Sequence, residues 1–128
     1  MANKILVDTS ILIGLQRNDQ ETVRIFYKLA DYIQISRISA CELVFGSRNK
    51  KEKKINKNFL SNFPIIEIDT YISQYAYILL DKYGLENKFG IADSLIAGTA
   101  IVNNYTLWTN NIRHFRIIKE LSLYEIEN

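Results

Sequence analysis

Short apolar runs alternate with longer segments of helical period along the whole chain, and this alternation constrains the fold more than any other feature. Ile5-Leu6-Val7 reads as a buried strand that stops at Asp8, and Ser10 to Leu15 follows as a helical turn or two. Asn18 or Asp19 can cap a second helix carrying Val23, Ile25, Phe26 and Leu29, after which Tyr32 to Ser36 alternates like a strand. Ser39-Ala40-Cys41-Glu42 opens a third helix, and Ile55, Phe59 and Leu60 form the apolar stripe of a fourth that Pro64 ends. Ile65-Ile66-Glu67-Ile68 supplies a strand, and Asp69 or Thr70 caps a helix through Ile72, Ala76 and Leu79 that Gly84 stops. Ile91 to Val102 is helical, Tyr105 to Thr109 is a strand, and a small helix near Ile112 to Ile118 and a short strand near Leu121 to Tyr124 complete the pattern. The economical architecture is α/β, a mostly parallel sheet of four to five strands flanked by helices.

With 128 residues, 48% of them hydrophobic, the chain has material for one domain spanning 1–128 with a proper core. Disorder and small disulfide-stapled scaffolds are excluded, since the single cysteine, Cys41, has no internal partner. The apolar run at Ile5–Val7 is far too short for a signal peptide or a membrane span, so a soluble cytoplasmic protein with no membrane partner is the expectation. Net charge is only +2, which on its own argues weakly against nucleic acid. The sum conceals segregation. Arg48, Lys50, Lys51, Lys53, Lys54 and Lys57 cluster with one acid, Glu52, leaving ten bases and thirteen acids elsewhere.

In parallel α/β sheets ligands bind beyond the carboxyl ends of the strands, where loops turn into helices. Three acids fall there: Asp8 at the end of the first strand, Glu42 in the first turn after the second, and Asp93 in the first turn of the helix that begins near Ile91. The segments are Asp8-Thr9-Ser10, Glu42-Leu43-Val44-Phe45-Gly46, Ala92-Asp93-Ser94-Leu95-Ile96-Ala97-Gly98 and Thr109-Asn110-Asn111-Ile112-Arg113-His114-Phe115. In that order and at those separations they resemble the PIN-domain nucleases, specifically the short VapC-type ribonuclease toxins of toxin–antitoxin pairs, over almost the whole chain. The resemblance implies a PIN-like three-layer fold and hydrolysis of RNA phosphodiester bonds. It also implies a homodimer and a cognate antitoxin whose tail lies across the active-site groove, with promoter DNA reached only through that antitoxin.

It further implies that Asp8, Glu42 and Asp93 carry Mg²⁺ or Mn²⁺, hard ions that prefer oxygen ligands and keep several waters. Two carboxylates about 6 Å apart at an effective dielectric of about 20 repel by roughly 3 kcal/mol, and a divalent ion offsets that cost while polarising a phosphate. Where the family often has a fourth acid, this chain has Asn111, which brings an amide oxygen and no charge. One tightly held ion is therefore expected, a second arriving with substrate. Thr9, Ser10 and Thr109 supply hydroxyls to hold carboxylates or waters.

Each residue also has a structural use. Asp8 can cap the following helix, Ser39-x-x-Glu42 is a capping box, Asp93 suits a helix N-terminus, and Asn111 suits a turn. His114 is a weak general-base candidate, because Phe115 beside it looks like a packing anchor. Gly46 and Gly98 read as helix-end and close-packing residues, and Tyr27, Tyr75 and Tyr77 as core or interface. Arg48, Lys50, Lys51, Lys53 and Lys54 are either a solvated face or a guide for RNA around an acidic pocket. Two other functions stay open: a catalytically weak PIN-like module that binds RNA or protein, favoured by Asn111, and phosphotransfer with Asp8 as nucleophile. The latter calls for a second Asp where Ser10 stands.

Overall fold

The computed structural model describes residues 4–126; the other five residues of the expected 1–128 domain, Met1 to Asn3 among them, lie outside the described residues. Four strands, β1 (Ile5–Val7), β2 (Ile33–Ser36), β3 (Ile65–Ile66) and β4 (Thr106–Trp108), form one sheet in the order β3-β2-β1-β4. Every pairing is parallel, with Ile5 opposite Ile33 and Thr106, and Ile35 opposite Ile65. A parallel strand is returned by a crossover, and here the crossovers are helical. They are α1 (Thr9–Gln16), α2 (Gln20–Leu29), α3 (Arg37–Phe45), α4 (Lys50–Leu60), α5 (Thr70–Leu79), α6 (Leu85–Asn87) and α7 (Ile91–Val102), with α8 (Ile112–Arg116) after β4.

The period-2 alternation of the strands sorts the core into two layers. Ile5 and Val7 pack with Ile33, Ile35 and Trp108 against Ile11, Leu12, Ile25, Ala40, Leu43 and Leu60 of α1 to α4. Leu6 and Leu107 point the other way, onto Leu79, Ile96, Ala97, Ala100, Phe115 and Ile118. The helices thus cover both faces of the sheet in the expected three layers.

Several local expectations change. The fifth strand near Leu121 to Tyr124 reduces to one parallel bridge, Leu107 to Leu123, and the strand around Ile65–Ile68 keeps only Ile65 and Ile66. Gly84 does not stop the helix: the chain passes through a π-helical turn (Leu80–Gly84) into α6 and leaves it at Lys88, in the left-handed region with φ 53°. A glycine inside a helix costs only about 1 kcal/mol, so it need not end one. Tyr27 and Tyr77 are 77% and 74% exposed, because the helical period places them away from the buried faces carrying Ile25 and Ile72. Cys41 is a free, exposed cysteine. Among the described residues no helix is long and apolar enough to cross a membrane.

Gly98 behaves as expected: a Cβ there would sit 3.3 Å from the Ile72 carbonyl oxygen and 3.5 Å from the Ala76 nitrogen, so α7 meets α5 backbone to backbone. Gly98→Val is expected to force these helices apart and lower stability by about 1–3 kcal/mol, read as a lower urea midpoint with an unchanged slope.

Candidate active site

The strand order places a topological switch between β1 and β4, since the chain runs outward from β1 to β3 and then returns to the far side of β1. Asp8 sits at that switch. Its N–H donates to the Trp108 carbonyl at 3.1 Å, extending the β1–β4 ladder by one bond, and its side chain is 4% exposed. The carboxylate caps α1, accepting from the Ser10 and Ile11 amides at 2.9 and 3.4 Å. Ser10 Oγ also donates to Oδ1, and Thr109 Oγ1, from the far side of the switch, donates to Oδ2. Those hydroxyls are themselves held by the turn after β4: Asn110 N–H donates to Ser10 Oγ at 3.1 Å and Asn111 N–H to Thr109 Oγ1 at 2.9 Å. Capping and site placement are thus the same geometry. A carboxylate engaged by four donors at the bottom of a crevice is poorly presented for attack, which counts against the phosphotransfer reading.

Burial is the largest influence on Asp8 and pushes its carboxyl above the usual carboxylate range, against the hydrogen bonds from Ser10, Thr109 and Ile11 that pull it down. A buried charge is costly even when solvated by donors.

Glu42 reaches the site differently from the sequence expectation. Ser36, not Ser39, caps α3, accepting from the Ile38 amide at 3.2 Å, so Glu42 lies in the second turn and no capping box forms. Both serines suit a cap, and tertiary packing decides between them: Ser39 is buried beneath Thr9. Thr9 Oγ1 lies 2.6 Å from Glu42 Oε1 and 3.1 Å from Ser39 Oγ. A hydroxyl has one proton and a carboxylate only accepts, so Thr9 donates to Glu42 and accepts from Ser39.

Asp93 occupies the first turn of α7, where its Oδ2 accepts the Gly90 amide at 3.3 Å, and His114 Nε2 lies 2.9 Å from the same oxygen. Asn111 precedes α8 and is exposed; its backbone N–H holds Thr109, while its side chain makes no capping bond. The hydroxyls of Thr9, Ser10 and Thr109 all bond carboxylates, Thr9 that of Glu42 and the other two that of Asp8. The Asp93–His114 contact and the placing of Ser39 beneath Thr9 join residues far apart in the chain and carry no local sequence signal.

The donor set is oxygen throughout, and Glu42 and Asp93 each keep one oxygen without a hydrogen bond among the described residues. Those chemistries fit a hard divalent cation. Among the described residues no three His, Cys, Asp or Glu side chains lie close enough to hold an ion unaided.

Beside Glu42 and Thr9 runs a groove of about 660 Å³, lined also by Gln16, Arg17, Arg48, Glu52, Ile55 and Asn56. Of the basic run, Arg48 borders it, paired with Glu52 at 3.0 Å, whereas Lys50, Lys51, Lys53 and Lys54 are exposed on α4 outside its lining.

Residues 5–121 match the PIN domain family, and the chain belongs to it. Ribonuclease VapC1 of Methanocaldococcus jannaschii is 38% identical over 124 residues, covering 94% of this chain and 85% of that protein. VapBC2 from Rickettsia felis, solved bound to a DNA fragment from its promoter, contains a chain 32% identical with a TM-score of 0.79, covering 96% of this chain and 98% of that one. A toxin–antitoxin complex from Klebsiella pneumoniae aligns at 28% identity and a TM-score of 0.78, over 96% of this chain and all of its own.

The raised Asp8 carboxyl has a consequence for stability. Below the range in which an unfolded carboxyl titrates, about pH 3.9, Asp8 is neutral in both states. As pH rises through the higher folded value, the folded chain binds more protons than the unfolded one and stability falls. In EDTA near neutral pH, Asp8→Asn is therefore expected to unfold at higher denaturant than the parent and to show a flatter stability profile from acid to neutral pH.

Proposed function

We propose that this protein is a divalent-metal-dependent endoribonuclease, the toxin of a toxin–antitoxin pair, with Asp8, Glu42 and Asp93 as the residues that hold the ion, Mg²⁺ or Mn²⁺. The observation that carries the reading is Asp8: a buried carboxylate kept at the switch point of the sheet, solvated by hydroxyls from both sides, at a net cost to the free protein. Such a cost is kept where a positive ligand offsets it. When bound, the cation supplies charge neutralisation at the scissile phosphate and lowers the pKa of an attacking water. The chain's residues do the rest. Ser10 and Thr109 fix the plane of Asp8, Thr9 fixes Glu42, and Asn111 offers an amide oxygen to a water without adding charge.

Relatives named Ribonuclease VapC and a VapBC neighbour above 30% identity support the reaction class and the protein partner. A small antitoxin is that partner, and promoter DNA is reached through it. An apolar groove of about 580 Å³ between α3 and α4, lined by Ala40, Cys41, Val44 and Leu60 and edged by the 92% exposed Phe45, supports a protein partner as well. The homodimer remains part of the same proposal.

Purified protein is expected to cut RNA with Mg²⁺ or Mn²⁺, to stop in EDTA, and to lose at least about 100-fold in rate as Asp93→Asn with its fold intact by circular dichroism. Cleavage that persists undiminished in Asp93→Asn would remove Asp93 from the mechanism. A folded, RNA-binding protein that never cleaves would instead establish the weak binding module that Asn111 keeps open.

Lys50, Lys51, Lys53 and Lys54 belong to the proposal as an electrostatic guide for RNA. Changing all four to Glu is expected to weaken RNA binding and flatten its salt dependence, measured by filter binding across a salt series, while Mn²⁺ affinity stays unchanged.

A further inference from the structure

We propose that His114 is a positioning residue for Asp93: its imidazole pins one carboxylate oxygen so that the other is presented to the divalent ion in a single orientation. The inference rests on the reading of Asp93 as an ion-holding residue. His114 Nε2 lies 2.9 Å from Asp93 Oδ2, and the Gly90 amide reaches the same oxygen at 3.3 Å, while no hydrogen bond reaches Oδ1 among the described residues. An ionised carboxylate only accepts, so the proton of this contact is on Nε2. The terminal torsion of an aspartate is broad, and an unrestrained carboxylate swivels. Two donors converging on one oxygen remove that freedom. A small hard ion that demands regular geometry gains most from a ligand whose orientation is already set.

The imidazole is itself held. Its ring lies 5.3 Å from the Phe89 ring and 5.4 Å from that of Phe115, which is fully buried. The His114 backbone N–H donates to the carbonyl of Asn111, the residue at the start of α8, at 3.0 Å, so the first turn of α8 follows directly on the turn whose Thr109 holds Asp8. One short segment thus sets the orientation of two carboxylates that arrive on different elements, Asp8 after β1 and Asp93 on α7. Histidine carries its ring N–H on a short, planar side chain, which reaches Asp93 while the ring stays packed beside Phe89.

A purely structural role, docking α8 onto Phe89, is separable. Mn²⁺ affinity is measured by electron paramagnetic resonance of the free ion for the parent, His114→Phe, His114→Gln and Asp93→Asn, with thermal midpoints in EDTA alongside. His114→Phe keeps an aromatic ring beside Phe89 and removes the donor; its Mn²⁺ affinity is expected to fall 10- to 100-fold. His114→Gln restores an N–H at a similar reach and is expected to bind Mn²⁺ within about threefold of the parent. Parent-like or tighter binding by His114→Phe overturns the inference, as does equal weakening in both His114 variants. Parent-like Mn²⁺ binding by Asp93→Asn overturns the reading of Asp93 itself, an outcome distinct from a failure confined to His114.

Discussion

Asp8 is the constraint around which the rest of the site is arranged. Its backbone is part of the central strand's ladder, so its side chain has nowhere to go but the crevice between β1 and β4, and there it is almost without water. The protein replaces that water with two hydroxyls and two amides. Each hydroxyl spends its proton on Asp8 and its lone pair on a backbone N–H of the turn after β4. That double use of Ser10 and Thr109 ties the end of the first strand to the start of the last helix, across about a hundred residues of intervening chain. Changing Thr109 would therefore disturb more than one hydrogen bond: the turn that carries Asn111 and His114 takes its position from the same contact.

How much of this was legible depended on whether a signal was local. The apolar runs ending at Asp8, Ser36 and Trp108 announced strands, and their number and spacing announced a parallel sheet, because each run is short and each gap holds a helix. Of the two candidates at each helix start, Asp19 rather than Asn18 caps α2 and Asp69 rather than Thr70 caps α5, and a cap is legible because it is a contact between near neighbours. Glu42 lies in the second turn of α3 rather than the first. Ser36 and Ser39 both suit a cap, and only the burial of Ser39 under Thr9 separates them. Tyr27 and Tyr77 are carried to the solvent side by the helical phase, which removes the core half of the core-or-interface reading. The Asp93–His114 contact joins two helices with no local pattern between them, and nothing in either segment signals the other.

The charge of the chain shows the same limit. Six bases between Arg48 and Lys57 stand beside an otherwise acidic sequence, and linear clustering suggests a surface built to meet phosphate. Folding redistributes it. Arg48 alone reaches the groove beside Glu42, already paired with Glu52, and Arg17 joins it there from a part of the sequence where no cluster exists. The four lysines line no part of that groove. Charges of this kind act through the field, over a Debye length of about 8 Å at physiological salt, and a field raises the rate of encounter more than the strength of the final complex.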